Sequence, residues 1–266
     1  MVETDWTFSA GDISLTLTGP TACIEPFKQA WSSWAGGSPG WRVHLMQDAT
    51  LLVPDGPFFA ARPRFEGGRC SLEAQGFVGE ILPEKEQALL RTHPAAETAD
   101  LAYFVRTAFA LRAFDGGALL FHAAGVVHRG SAYAFFGHSG SGKTTAASLS
   151  KGKPVLSDDL LLLCRAGLEW DAWATPFGKH RDLDTRSAPL RALLRLAQAS
   201  EERLESMPPG AALGELVANS PVVNADPARS MALLIRWEEI VHTAAVFRLH
   251  FRKSDTFWEV IDARLG

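Results

Sequence analysis

Gly137-His138-Ser139-Gly140-Ser141-Gly142-Lys143-Thr144 is the stretch on which the reading of this chain turns. It satisfies the pattern G-x-x-x-x-G-K-[ST] at every fixed position. Its glycines let the backbone turn sharply and leave N–H groups uncovered, so that they can close on a polyphosphate. Lys143 can reach the β- and γ-phosphates as a point charge, and the Thr144 hydroxyl can ligate Mg²⁺. The flanks agree with this. Ala132-Tyr133-Ala134-Phe135-Phe136 reads as a buried strand, and Thr144-Thr145-Ala146-Ala147-Ser148-Leu149 reads as a helix start. Strand, glycine loop and helix are the parts that set a helix N-terminus against phosphate. The blander alternative is an ordinary Gly/Ser turn. On the motif, Gly137, His138, Ser139, Gly140, Ser141, Gly142, Lys143, Thr144 and Thr145 are the expected nucleotide-binding residues, with ATP and Mg²⁺ as the expected ligands. His138 would contribute its backbone more than its ring.

Downstream, Pro154-Val155-Leu156 reads as a strand that runs into Ser157-Asp158-Asp159. Two adjacent carboxylates at a strand end suit Mg²⁺ and proton handling: one can hold the metal, the other can take a proton from an attacking hydroxyl. Alone, such a pair reads as a solvated turn or a helix cap. Upstream, residues 119–128 and 131–136 both read as strands, and Arg129-Gly130 between them suggests a hairpin feeding the glycine loop. His122 lies in the first of these strands. A histidine in an apolar strand is usually a satisfied core residue, but the hairpin can bring this one beside the acidic pair, where it can position or polarise Asp158. Lys179, His180, Arg181 and Arg186 form a basic stretch in a Gly/Pro-marked loop, the kind of group that developing charge on phosphate wants nearby. The alternative is a solvated loop balanced by Asp182 and Asp184.

The chain has 266 residues, 47% of them hydrophobic, with a net charge of −4. That is enough for one large domain or two small ones, and it offers no basic face for nucleic acid. Its three cysteines, Cys23, Cys70 and Cys164, are far apart and form no C-x-x-C, which fits a reduced cytoplasm. No stretch approaches the roughly 18 uncharged apolar residues of a membrane span. There is no zinc pattern, no G-x-S-x-G and no H-R-D or D-F-G set.

The first hundred or so residues have a different texture. Ile13, Leu15 and Leu17 alternate at period two. Strands are expected over 8–18, 41–46, 50–53, 70–74 and 77–81, with a short helix over 25–34. Trp6, Trp31, Trp34 and Trp41 read as core packing. Residues 1–94 are therefore expected to form a small, mainly β, N-terminal module without a phosphate motif, which helps position an acceptor rather than binding ATP. A helix over 95–114 would open a second domain, residues 95–266. In that domain strands are expected over 160–164 and 168–174, helices over 209–218 and 228–242, and closing strands over 246–251 and 257–261. Residues 190–197 read as either strand or short helix.

Residues 119–163 resemble the catalytic core of the bacterial HPr kinase/phosphorylase family. Those enzymes carry a histidine before the P-loop strand, a G-x-S-G-x-G-K-S loop, and an apolar strand ending in Asp-Asp. Here the same order is His122, residues 137–144, and Leu156-Ser157-Asp158-Asp159. The resemblance implies Asp158 as the base supported by His122, Lys143 as a phosphate ligand, and Thr144 with Asp159 serving Mg²⁺. It implies an α/β (α+β) fold with a mixed-sheet P-loop core like that of phosphoenolpyruvate carboxykinase, and homo-oligomeric assembly. The family's Glu-Val-Arg-Gly segment is absent. Ala174-Thr175-Pro176-Phe177-Gly178-Lys179-His180-Arg181, followed by Arg186-Ser187-Ala188-Pro189-Leu190, is similar instead to a stand-alone, HPr-kinase-related group, some of whose members lie beside peptide-modification genes. The implied activity is ATP-dependent phosphorylation of a hydroxyl, on a serine of a protein or peptide. The competing readings are a small-molecule kinase on the same scaffold and a nucleotide-binding regulatory module with little turnover.

Overall fold

In the computed structural model, which describes residues 2–179 and 184–266, the chain divides into two compact units. The first is Met1–Gly116 with Ala225–Ala228, and the second is Gly117–Asn224 with Arg229–Gly266.

In the first unit the single strand expected over 8–18 is instead broken by a turn at Gly11-Asp12, and the Ile13, Leu15, Leu17 alternation falls in the second arm. Strands β1 (Glu3–Ala10) and β2 (Ile13–Pro20) form an antiparallel hairpin, and Phe8, Leu15 and Leu17 are fully buried on one face. Helix α1 (Thr21–Ala30) follows, then β3 (Trp41–Gln47), β4 (Arg64–Glu66), β5 (Arg69–Ala74), β6 (Phe77–Leu82), β7 (Gln87–Thr92) and helix α2 (Thr98–Asp115). Among the described residues the strands form one sheet in the order β1-β2-β3-β7-β6-β5-β4. Strand β3 runs parallel to both of its neighbours, and the remaining pairs are antiparallel. Trp31, Trp34 and Trp41 are buried.

The sequence reading places α2 at the head of the second domain. The structure places it in the first unit, where Phe104 and Phe109 pack against the first sheet. The Phe109 ring stacks on Phe8 at 6.0 Å. Phe104 lies so close to β6 that a Cβ on Gly79 would come within 2.5 Å of its ring. Asp100 ties down the helix start by accepting the N–H groups of Phe58 and Glu97. Residues 50–53, expected as a strand, form a turn and an irregular stretch. The reason is local: Asp48 Oδ1 accepts both the N–H and the hydroxyl of Thr50, an Asx-type turn that competes with a ladder. Strands β4 and β7 lie outside the strands expected from sequence.

The second unit contains β8 (Leu119–Phe121), β9 (Ala123–His128), β10 (Ser131–Phe136), α3 (Lys143–Leu149), β11 (Val155–Ser157), β12 (Leu161–Ala166), β13 (Glu169–Trp173) and β14 (Ser187–Gln198). It continues with β15 (Arg203–Ser206), α4 (Pro209–Ala218), α5 (Ser230–Thr243), β16 (Ala245–Phe251) and α6 (Phe257–Leu265). The sheet is mixed and runs β11-β9-β10-β14-β13-β12-β8, with β16 beside β14 and β15 beyond it. The expected β9–β10 hairpin is present and antiparallel, whereas β10 and β16 both run parallel to β14. Residues 190–197 are strand: Ala192, Leu194 and Leu196 point alternately into a core shared with Phe135, Phe251, Phe257 and Trp258. Residues 257–261 are helical rather than a closing strand. Phe257, Trp258 and Ile261 form a helical stripe buried in that core, and an apolar run this short has no distinctive period.

The expected strand over 119–128 is broken at His122, and the break explains the shape of the sheet. Strand β8 pairs with β12, while β9 pairs with β10 and β11. Each end strand thus leads directly into the strand next to the opposite end: β8 passes through His122 into β9, and β11 passes through Asp158 and Asp159 into β12. Such connections are short only if the sheet curls. A Cβ on Gly125 in β9 would meet Leu161 Cδ2 of β12 at 2.5 Å, so the two strands approach closely there and a larger residue at 125 would displace the Leu161 side chain. Among the described residues no helix is long and apolar enough to cross a membrane.

Candidate functional site

The glycine loop lies where the parallel strands β10, β14 and β16 end, the edge at which open α/β sheets present ligand sites. Gly137, Gly140 and Gly142 have φ of 142°, 78° and 108°, values that residues with a Cβ rarely adopt. Gly142 is constrained a second time, since a Cβ there would come within 2.7 Å of Phe251 Cζ. Inside the loop, Lys143 Nζ donates to the carbonyls of Gly137 (2.9 Å) and His138 (3.3 Å). The Ser141 N–H donates to the His138 carbonyl, and Gln198 Nε2, from the end of β14, donates to the Gly140 carbonyl at 3.0 Å. Lys143 is buried. Burial pushes its ammonium below the ordinary lysine range, and the Asp159 carboxylate acts against that shift.

The facing wall is the turn between β11 and β12. Ser157 Oγ accepts the N–H groups of Asp159 and Leu160, which fixes the turn. His122 Nε2 lies 3.1 Å from Asp159 Oδ1. The His122 N–H donates to the carbonyl of Asn219, the C-cap residue just after α4. The histidine therefore pairs with Asp159 and not with Asp158, the partner expected from sequence. Asp158 is engaged elsewhere: its Oδ1 accepts the N–H of Lys179 at 2.7 Å, and its own N–H donates to the Lys179 carbonyl.

The two walls enclose a cleft of about 310 Å³ lined by His122, Ser139, Gly140, Gly142, Lys143, Thr144, Thr145, Asp158 and Asp159. Most of the residues singled out from sequence thus meet at one place, all within the second unit. Gly137, His138 and Ser141 are not at its surface. The carbonyls of the first two accept from Lys143 Nζ, and the Ser141 hydroxyl is buried against Gly137 with no hydrogen-bond partner among the described residues. Of the basic stretch, Lys179 lies beside Asp158, while His180 and Arg181 fall outside the described residues. The Arg186 carbonyl accepts the N–H of Ala174. Gly178, Gln198 and Phe251 contribute to the site without having been singled out. For Gly178 the signal was the Gly/Pro punctuation of its loop; the other two carry none.

Among the described residues no three His, Cys, Asp or Glu side chains form a metal-binding group. Mg²⁺ beside a polyphosphate does not need one, because it takes one or two protein oxygens and completes its shell with phosphate and water. Thr144 and Asp159, a hydroxyl and a carboxylate on one cleft, offer hard oxygen donors of that kind.

No family model and no curated protein matches the chain. Among solved structures the chain is similar to one described as the Hpr(Ser) kinase/phosphatase from Coxiella burnetii, at 11% identity, over 55% of this chain and 95% of that one, with a TM-score of 0.31. A likeness this slight carries no weight on activity.

Proposed function

We propose that the chain is an ATP-dependent phosphotransferase that moves the γ-phosphoryl group to a hydroxyl, on a serine of a protein or peptide. The observation that carries the reading is the meeting of the Lys143 loop, the His122–Asp159 pair and Asp158 on one cleft. Phosphoryl transfer needs positioning and charge neutralisation more than covalent help from the protein. Loop N–H groups and Lys143 would hold the β- and γ-phosphates. Asp158 would accept the acceptor's proton as the serine oxygen bonds to the γ-phosphorus and the bond from that phosphorus to the bridging oxygen breaks, releasing ADP. Thr144 and Asp159 would hold Mg²⁺, which when bound supplies charge against the phosphates. His122 would orient Asp159.

The HPr-kinase-like identity of this core rests on the order of His122, the glycine loop and the acidic pair. The antiparallel hairpin that feeds the loop in a mixed sheet supports it. The same reading makes the protein cytoplasmic, with ATP and a hydroxyl-bearing protein or peptide as partners, capable of homo-oligomeric assembly, and without nucleic acid or membrane partners. Incubation with γ-labelled ATP and Mg²⁺ tests it. Label on a serine-containing peptide supports the proposal. Label only on a metabolite redirects it to a small-molecule kinase, and tight ATP binding without transfer replaces catalysis with a nucleotide-binding role.

A further inference from the structure

The segment Thr175-Pro176-Phe177-Gly178-Lys179 is fastened to the acidic turn at both of its ends. At one end the fully buried Thr175 donates its hydroxyl to the Leu160 carbonyl at 2.8 Å. At the other, Lys179 and Asp158 exchange a pair of bonds: the Lys179 N–H donates to Asp158 Oδ1, and the Asp158 N–H donates to the Lys179 carbonyl. Between these points the chain presses on the turn. A Cβ on Gly178 would sit 2.2 Å from Ser157 Oγ, 3.3 Å from Asp158 Oδ1 and 3.4 Å from the Asp159 nitrogen. Ser157 Oγ cannot swing away cheaply, since it holds the N–H groups of Asp159 and Leu160 and its residue is fully buried.

We infer that Gly178 and the peptide of Lys179 are positioning groups for Asp158, committing one carboxylate oxygen to the backbone and leaving the other to take the acceptor's proton. The inference rests on the base assignment made for Asp158 above. A carboxylate on a flexible stem samples several rotamers, and a proton acceptor must lie within hydrogen-bond reach of the attacking hydroxyl. A charge-assisted bond from a fixed peptide removes that freedom without using any side chain. The device needs a residue without a Cβ at 178, so that the 175–179 segment can approach, and a residue with an N–H at 179. Neither requirement concerns the lysine side chain.

Lys179→Pro removes the donor. With the full chain, Mg–ATP and a serine peptide or water as acceptor, kcat should fall by about 10–10²-fold, the cost of a misplaced reacting group. The KM for ATP should stay within about twofold, because the glycine loop is untouched. Lys179→Ala removes the ammonium but keeps the peptide, and should retain at least about tenfold more kcat than the proline variant. If the effect passes through Asp158, Lys179→Pro should change nothing further in an Asp158→Ala background. Should Lys179→Pro fail to fold, Gly178→Ala makes the same test with the same expectations. Full kcat in Lys179→Pro, or losses that multiply with those of Asp158→Ala, overturn the inference. Full turnover in Asp158→Ala alone would instead sink the base assignment, so the two failures are told apart.

Discussion

The two walls of the cleft are held in different ways. On the glycine side, residues close in the chain hold one another: Lys143 reaches back six positions to the Gly137 carbonyl, and three glycines take left-handed φ values. On the acidic side, four separate segments meet. His122 comes from the β8–β9 joint, Asp158 and Asp159 from the β11–β12 turn, Lys179 from the loop after β13, and Asn219 from just after α4. The first wall is mainly a local conformation of its own strand, loop and helix, with Gln198 of β14 and Phe251 of β16 set against it. The second exists only if the sheet curls and brings its two crossings together. Variants should therefore separate the proposed phosphate binding by the first wall from the proposed proton handling by the second, with Mg²⁺ shared between Thr144 and Asp159.

The largest effect is expected from Lys143→Ala. It removes the loop's cation, so transfer should fall at least about 10³-fold and ATP should bind more weakly, as read by calorimetry and labelled-phosphate release. Near-normal turnover would mean that the glycine wall is not the site. Asp158→Asn should lower kcat by about 10²–10⁴-fold with Mg–ATP binding kept. Asp159→Asn should instead raise the Mg²⁺ concentration needed for half-maximal rate. Metal titrations of both variants test this division, and a larger Mg²⁺ effect at Asp158 would exchange the two roles.

Gly142→Ala combines a φ of 108° with a contact of 2.7 Å to Phe251 Cζ. The strained backbone alone costs about 1–3 kcal/mol, visible in thermal unfolding and as weaker ATP binding. Gln198→Ala gives the smallest effect. Losing one hydrogen bond to the Gly140 carbonyl removes about 1 kcal/mol, or a roughly fivefold rise in KM for ATP with kcat unchanged. A fall in kcat alone would place Gln198 on the chemistry instead.

The same contrast governs what could be read before the structure. Residues 137–144 declare themselves because every needed residue is contiguous. The hairpin, β3, β5, β6 and the Ile13/Leu15/Leu17 strand follow from alternation and turn residues. Where a side chain captured its own backbone, as Asp48 does around Thr50, alternation misled. Where an apolar run was short, as at 257–261, strand and helix could not be told apart. The domain boundary moved because α2 shows no sequence mark of which sheet it covers. His122 was legible as a candidate, but its pairing with Asp159 rather than Asp158 was not, because that depends on which way each side chain leaves its crossing. Gly178 looked like loop punctuation, and its steric fit against Ser157 depends on a contact 21 positions away in the chain.

The central claim is that a nucleotide's phosphates lie on the glycine wall and face the acidic one. Backbone amide shifts of the isotopically labelled protein, titrated with ATP and then with Mg²⁺, test it most directly. ATP alone should move the amides of Gly140, Gly142, Lys143, Thr144 and Thr145. Mg²⁺ added to that complex should extend the change to His122, Asp158 and Asp159. Shifts confined to residues of the first unit, or a Mg²⁺ response that leaves both aspartates unmoved, would contradict the account.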